Sequence, residues 1–154
     1  MATLVVIGFD GSPDAEQAID VAARVLSADS ALIVTAWHLP IAAVEAPIPP
    51  VGVPTAPPLE DEHELERRAI ETADAGVRRA RAAGLEAEPA LQPAAGPSDI
   101  AKVLFDSAEQ HDAELVVVGR RGMSRIKSIL LGSVSEAAVR DGRRPVLVVP
   151  SAQG

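Results

Sequence analysis

Two short runs, LVVIG at Leu4–Gly8 and LVVVG at Leu115–Gly119, are apolar at every position up to a closing glycine. A third, PVLVVP at 145–150, is apolar between two prolines. A strand with one wet face alternates apolar and polar residues, whereas an unbroken apolar run of this length is the mark of a strand covered on both faces. That situation belongs to parallel sheets sandwiched between helices. The segments between the runs agree. After the first, Ser12 is a helix N-cap, Pro13 suits the first helical position, and Asp14 and Glu16 complement the helix dipole. Ala15, Ala18, Ile19, Ala22, Val25 and Leu26 then recur at helical spacing.

The stretch 31–39, ALIVTAWHL, reads as a second strand. A charged helix is expected over 60–83, with Leu65, Ala69, Ala73, Val77 and Ala80 along one face and Gly84 as its stop. EAEPALQP is a weak third strand, and Pro89 puts it at a sheet edge. Ser98 caps a third helix with Ile100, Val103, Leu104 and Ala108 on its apolar face, and 133–140 reads as a fourth. Seven prolines in 40–58 forbid a helix or a central strand there and predict a long loop. Five strands alternating with about four helices give a single α/β domain over residues 1–154, a doubly wound parallel sheet with right-handed crossovers. Such sheets bind ligands at the carboxyl ends of their strands, where strand order reverses.

Composition removes several function classes. Phe9, Trp37 and Phe105 are the whole aromatic set, too few for base-stacking platforms, and a net charge of -8 disfavours nucleic acid and anionic membranes as partners. The absence of cysteine excludes disulfides, thiolate metal sites and cysteine nucleophiles. MATLVVIGFDG lacks the basic start of a signal peptide, and Pro40 and Glu45 interrupt the apolar stretch after Ser30, so no membrane span is expected and a cytoplasmic location is. Twelve Arg against two Lys, with abundant Ala, is the composition of a GC-rich bacterial genome. His38, His63 and His111 fall in separate elements and read as ordinary surface residues; Arg143 and Arg144 read as keeping the last strand soluble.

The fourth strand leads into VVGRRGMSRIKSILLGSVSE: Gly119, two residues, Gly122, nine residues, then Gly132 and Ser133. Glycine after a strand permits positive φ and lets a phosphate approach backbone N–H groups. Gly132 leads into a helix whose first turn offers free N–H donors, with Ser133 and Ser135 adding hydroxyls. Arg120, Arg121, Arg125 and Lys127 lie between these glycines. Residues 115–150 carry seven Lys/Arg against two Asp/Glu, a local +5, while the remainder sums to -13. A basic pocket on an acidic body suits a small polyanion rather than an extended nucleic acid.

At these residues the chain resembles the universal stress protein family, in its ATP-binding branch with the pattern G-x2-G-x9-G-[ST]. VVIGFDGSPDAEQAIDVA is similar to that family's first strand, turn and helix, and RRPVLVVP to its closing strand. The resemblance implies an adenine-nucleotide alpha hydrolase-like, flavodoxin-like layering with strand order 3-2-1-4-5. It implies that Asp10 meets the ribose or a phosphate-bound Mg²⁺, with Gly8 and Phe9 near the base. Trp37 falls where the family lines the adenine pocket, usually with an aliphatic side chain. Val118, Gly119 and Gly122 approach the ribose and phosphates, and Gly132, Ser133, Val134 and Ser135 hold the triphosphate. Arg120 and Arg121 stand where the family commonly has small residues or His; with Arg125 they join the candidate site.

The expected ligand is ATP, with cyclic AMP as the alternative, and the expected partner is a second copy of the chain paired through 145–150, which covers an apolar edge. Nothing reads as a placed general base except Asp10, so the chain is read as a regulatory binding protein, not an enzyme. A slow ATPase or phosphotransferase, and a ligand-free interaction module, are the competing classes.

Overall fold

The computed structural model of the chain describes residues 2–37, 62–95, 99–120, 140 and 143–152. Among these residues five strands and three helices follow in the order β1 (Leu4–Gly8), α1 (Pro13–Val25), β2 (Ser30–Trp37), α2 (Glu62–Ala82), β3 (Glu86–Pro93), α3 (Ile100–Gln110), β4 (Leu115–Gly119) and β5 (Val146–Val149). All strand pairs are parallel and the sheet runs β3-β2-β1-β4-β5, the expected order. β1 and β4, both continuous apolar runs, form the centre, and Pro89 lies on an edge strand as its missing N–H requires. The loop expected at 40–58 lies outside the described residues, as does the helix expected over 133–140 apart from Arg140.

Successive residues of each strand serve opposite layers, which is why the runs carry no polar positions. Val5, Ile7, Ala31, Ile33, Val117 and Val149 pack with α1 and α2 on one face. Val6, Leu32, Val34, Ala36 and Val116 pack with α3 on the other. On the first face Arg79 of α2 reaches Asp20 at 2.7 Å and Glu16 at 3.3 Å, tying α2 to α1.

The helix ends follow the expected chemistry. Ser12 Oγ accepts the Ala15 N–H at 3.2 Å with Pro13 opening α1, and Gly84, at φ +97°, reverses the chain after α2. Three details differ from expectation. Val25, placed on the apolar face by spacing, is 62% exposed in the last turn of α1, while the neighbouring Leu26 packs against the core. Ser98 lies outside the described residues, and Asp99, which precedes α3, accepts the Ala95 N–H at 3.2 Å instead of capping the helix. Gly76 falls mid-helix because a Cβ there would come within 2.7 Å of the Phe9 ring and 2.8 Å of Ile33.

Candidate functional site

Parallel strands bring all five carboxyl ends to one side of the sheet, and the strand order reverses between β1 and β4. On that side Gly8, Phe9 and Asp10 leave β1, Trp37 closes β2, and Val118, Gly119 and Arg120 leave β4. The expected site residues that can be placed are therefore neighbours at one crevice. Arg121, Gly122, Arg125, Gly132, Ser133, Val134 and Ser135 lie outside the described residues.

The β1 exit is a hydrogen-bonded turn. Asp10 Oδ1 accepts the Ser12 N–H at 2.9 Å, and Gly11 takes φ +79°, a conformation that favours glycine. The Ser12 carbonyl accepts the Glu16 N–H at 3.0 Å, joining the turn to α1 as one unit. Phe9, expected near a base, is 2% exposed, with its ring packed among core side chains beneath Gly76. Its N–H donates to the Val34 carbonyl at 2.9 Å and its carbonyl accepts the Thr35 hydroxyl at 3.0 Å, which fixes the β1 exit against β2. Trp37 is half-buried, and its carbonyl accepts the Ala94 N–H at 2.8 Å.

Gly119 has a structural reason to be glycine. A Cβ there would lie 2.6 Å from the Asp14 carbonyl carbon and 2.7 Å from its oxygen, so the first turn of α1 rests on the β4 exit. Positive φ, the freedom expected of this glycine, is found among the described glycines at Gly11 and Gly84 instead. Next to it, the Arg120 N–H donates to the Val149 carbonyl at 2.7 Å and the Arg120 side chain is exposed.

Two residues of this region, Asp14 and Ser151, are not among the expected site residues. Asp14 is 8% exposed and its Oδ2 accepts the Ser151 hydroxyl at 2.8 Å. Its polarity suggested a dipole role alone, yet it precedes Ala18 and Ala22 by four and eight residues, the spacing of the buried face.

The basic excess of residues 115–150 divides between the two ends of the sheet. Arg143 and Arg144 precede β5 and pair with the end of α3: Arg143 with Asp106 at 3.0 Å and with Glu109, Arg144 with Asp112 at 3.2 Å. The hydrogen bond from Arg143 holds the Glu109 carboxyl below its usual range, and Lys102, followed by Arg143, does the same to Asp106. The two arginines thus clamp β5 to α3 at the amino end, a role beyond solubility, and add no charge to the crevice. A half-open cavity of about 580 Å³ also lies at the amino ends, bordered by Leu4, Leu32, Arg81, Glu86 and His111. It gathers neither the glycine turns nor the Asp10 turn, and sheets of this topology bind at the other end.

Among the described residues, no group of three His, Asp or Glu side chains is arranged to hold a metal ion, and no helix is long and apolar enough to cross a membrane.

The model of the family described as "Universal stress protein family" matches residues 1–150. A universal stress protein of Mycobacterium tuberculosis (strain H37Rv) is 32% identical over 151 residues, covering 94% of each chain. A crystal structure described as a universal stress protein in complex with cAMP is 26% identical with a TM-score of 0.62, covering 98% of each chain. The universal stress protein from Archaeoglobus fulgidus in complex with dAMP, 23% identical with a TM-score of 0.60 over 97% of this chain and 98% of its own, shares the fold.

Proposed function

The chain belongs to the universal stress protein family, and on that premise we propose that it is a regulatory protein that binds ATP at the carboxyl ends of β1 and β4. The observation that carries this reading is the meeting of the Asp10 turn and the Gly119–Arg120 exit at the switch point, from which the chain enters the Gly122…Gly132-Ser133 segment. Backbone N–H groups around these glycines take the phosphates, Trp37 borders the adenine, and exposed Arg120, with Arg121 and Arg125, supplies positive potential.

Asp10 suits a Mg²⁺ that arrives with the nucleotide. One carboxylate oxygen is committed to the Ser12 N–H, which orients the group. Mg²⁺ keeps several waters and binds through one or two carboxylates plus substrate phosphates, so a single side chain suffices. The ion would neutralise phosphate charge beside Asp10.

Cyclic AMP is the second reading, favoured by the relative described in complex with it. We further propose that the protein works by binding and not by turnover, in the cytoplasm, as a dimer paired through β5. The two sheet edges are unequal: β3 carries Glu86, Glu88 and Pro89, whereas Val146–Val149 has neither charge nor proline.

The test is calorimetry of ATP and cyclic AMP on wild type and Gly132→Val. A valine at the glycine of the expected phosphate segment occupies the space a phosphate needs, so binding is lost in a protein that still melts like wild type. ATP binding unchanged in folded Gly132→Val removes the motif from the site.

A further inference from the structure

Asp14 and Ser151 join three elements at the crevice with contacts that neither the glycine pattern nor the family likeness includes. The Asp14 backbone lies beneath Gly119 at the β4 exit, within 2.6–2.7 Å of where a Cβ would be. Its largely buried carboxylate receives the Ser151 hydroxyl at 2.8 Å, two residues beyond β5. The β4 and β5 exits are themselves joined by the bond from Arg120 N–H to the Val149 carbonyl. On its other side Asp14 is continuous with the Asp10 turn through the Ser12 cap, whose hydroxyl and carbonyl hold the Ala15 and Glu16 N–H groups.

Asp10 follows β1 and Arg120 follows β4, the two strands between which the order reverses, and the unit that carries Asp10 meets the β4 and β5 exits through Asp14. We propose that Asp14, held by Ser151, is a positioning residue for the nucleotide site, setting the separation between the Asp10 turn and the Gly119–Arg120 exit. The inference rests on the nucleotide-binding reading above. The carboxylate acts here as a hydrogen-bond acceptor for Ser151. A site held by such a bond is pre-organised, and loosening it moves the cost of ordering into the binding step.

Calorimetry with ATP and with cyclic AMP, on wild type, Ser151→Ala, Asp14→Ala, Asp14→Asn and the double alanine variant, tests this well below each melting temperature. Ser151→Ala is expected to weaken the bound nucleotide's Kd about fivefold, the equivalent of one net hydrogen bond. The double variant should be no weaker than Asp14→Ala, because the Ser151 hydroxyl acts through the carboxylate that Asp14→Ala already removes. Asp14→Asn keeps an acceptor for Ser151 and should stay within about twofold of wild type. A role confined to stability would lower the melting temperature of Ser151→Ala and leave Kd unchanged, and that result overturns the proposal. If Ser151→Ala does not fold, Asp14→Asn decides: affinity lost outright, or raised by removal of a charge near phosphate, overturns it. Wild type that binds neither nucleotide refutes the parent reading; wild type that binds while Ser151→Ala binds equally well refutes this inference alone.

Discussion

Replacing Gly119 by alanine separates two accounts of the same glycine. The new Cβ falls 2.6 Å from the Asp14 carbonyl carbon, 2.7 Å from its oxygen and 2.9 Å from its Cβ, against backbone that cannot rotate away. Overpacking of this kind costs about 1–3 kcal/mol. Gly119 has no positive φ to strain, so alanine also gains about 0.4–1 kcal/mol by restricting the unfolded chain. The overlap wins, leaving a net loss of about 1–2 kcal/mol, or roughly 2–8 °C of melting temperature for a domain of this size. Gly8→Ala is the control, since its Cβ would meet Leu104 and Val118 methyls at 3.2–3.4 Å, side chains that can yield. Thermal melts of both variants, with ATP calorimetry on each, give the answer. Gly119→Ala should melt lower than Gly8→Ala and bind ATP more weakly, because a displaced α1 carries the Asp10 turn with it. If Gly119→Ala melts at or above wild type and loses ATP alone, the glycine serves the ligand and not the packing of α1.

If Arg120 and its neighbours supply potential around a backbone phosphate site, ATP binds more tightly than adenosine, the gap narrows as salt rises, and Arg120→Ala costs about 1 kcal/mol or less; complete loss in that variant would make the guanidinium a direct ligand. Light scattering at micromolar concentration should give a dimer, weakened by Leu147→Lys, whereas a monomeric wild type contradicts pairing through β5. Val149 is unsuitable for that test because it is 2% exposed, so a charge there would unfold the core; Leu147 is only partly buried against that core, and its variant is compared with wild type only once its melt shows it folded. Asp106 and Glu109 have lowered carboxyl pKa values, so their contribution to stability is present above the unfolded values and is lost as pH falls through the folded ones. The melting temperature should therefore drop on acidification from about pH 5 to about pH 3, less steeply in Arg143→Ala; equal slopes would refute the clamp.

Strands β1, β4 and β5 were legible because a parallel sheet covered on both faces demands apolar side chains at consecutive positions, a local signal. The start of α1 and the end of α2 were legible for the same reason: Ser12, Pro13 and Gly84 act within a few residues of themselves. What pattern could not supply is contact between distant segments. Gly76 under the Phe9 ring, the α1 turn on Gly119, Ser151 on Asp14 and Arg143 on α3 each join residues tens of positions apart. Hence the packing of the Phe9 ring in the core is not visible in the pattern, and the basic count around β4 and β5 reads as one cluster although two of its arginines serve the opposite end. At the crevice, the gathering of Gly8, Asp10, Trp37 and Gly119 was anticipated, since any doubly wound sheet aligns its carboxyl ends. The distances between those exits depend on Asp14, whose place on the buried face is in the spacing but whose bond to Ser151 is not.

The most direct measurement of the central claim uses Trp37, the chain's single tryptophan, half-buried at the carboxyl end of β2. Adenine nucleotide bound at this end of the sheet should change its fluorescence, so titrating the purified protein with ATP reports both binding and location. The account predicts a saturable change in Trp37 emission that cyclic AMP also produces or competes away. Emission that stays flat with ATP and cyclic AMP up to millimolar concentrations, in a folded protein, would contradict it.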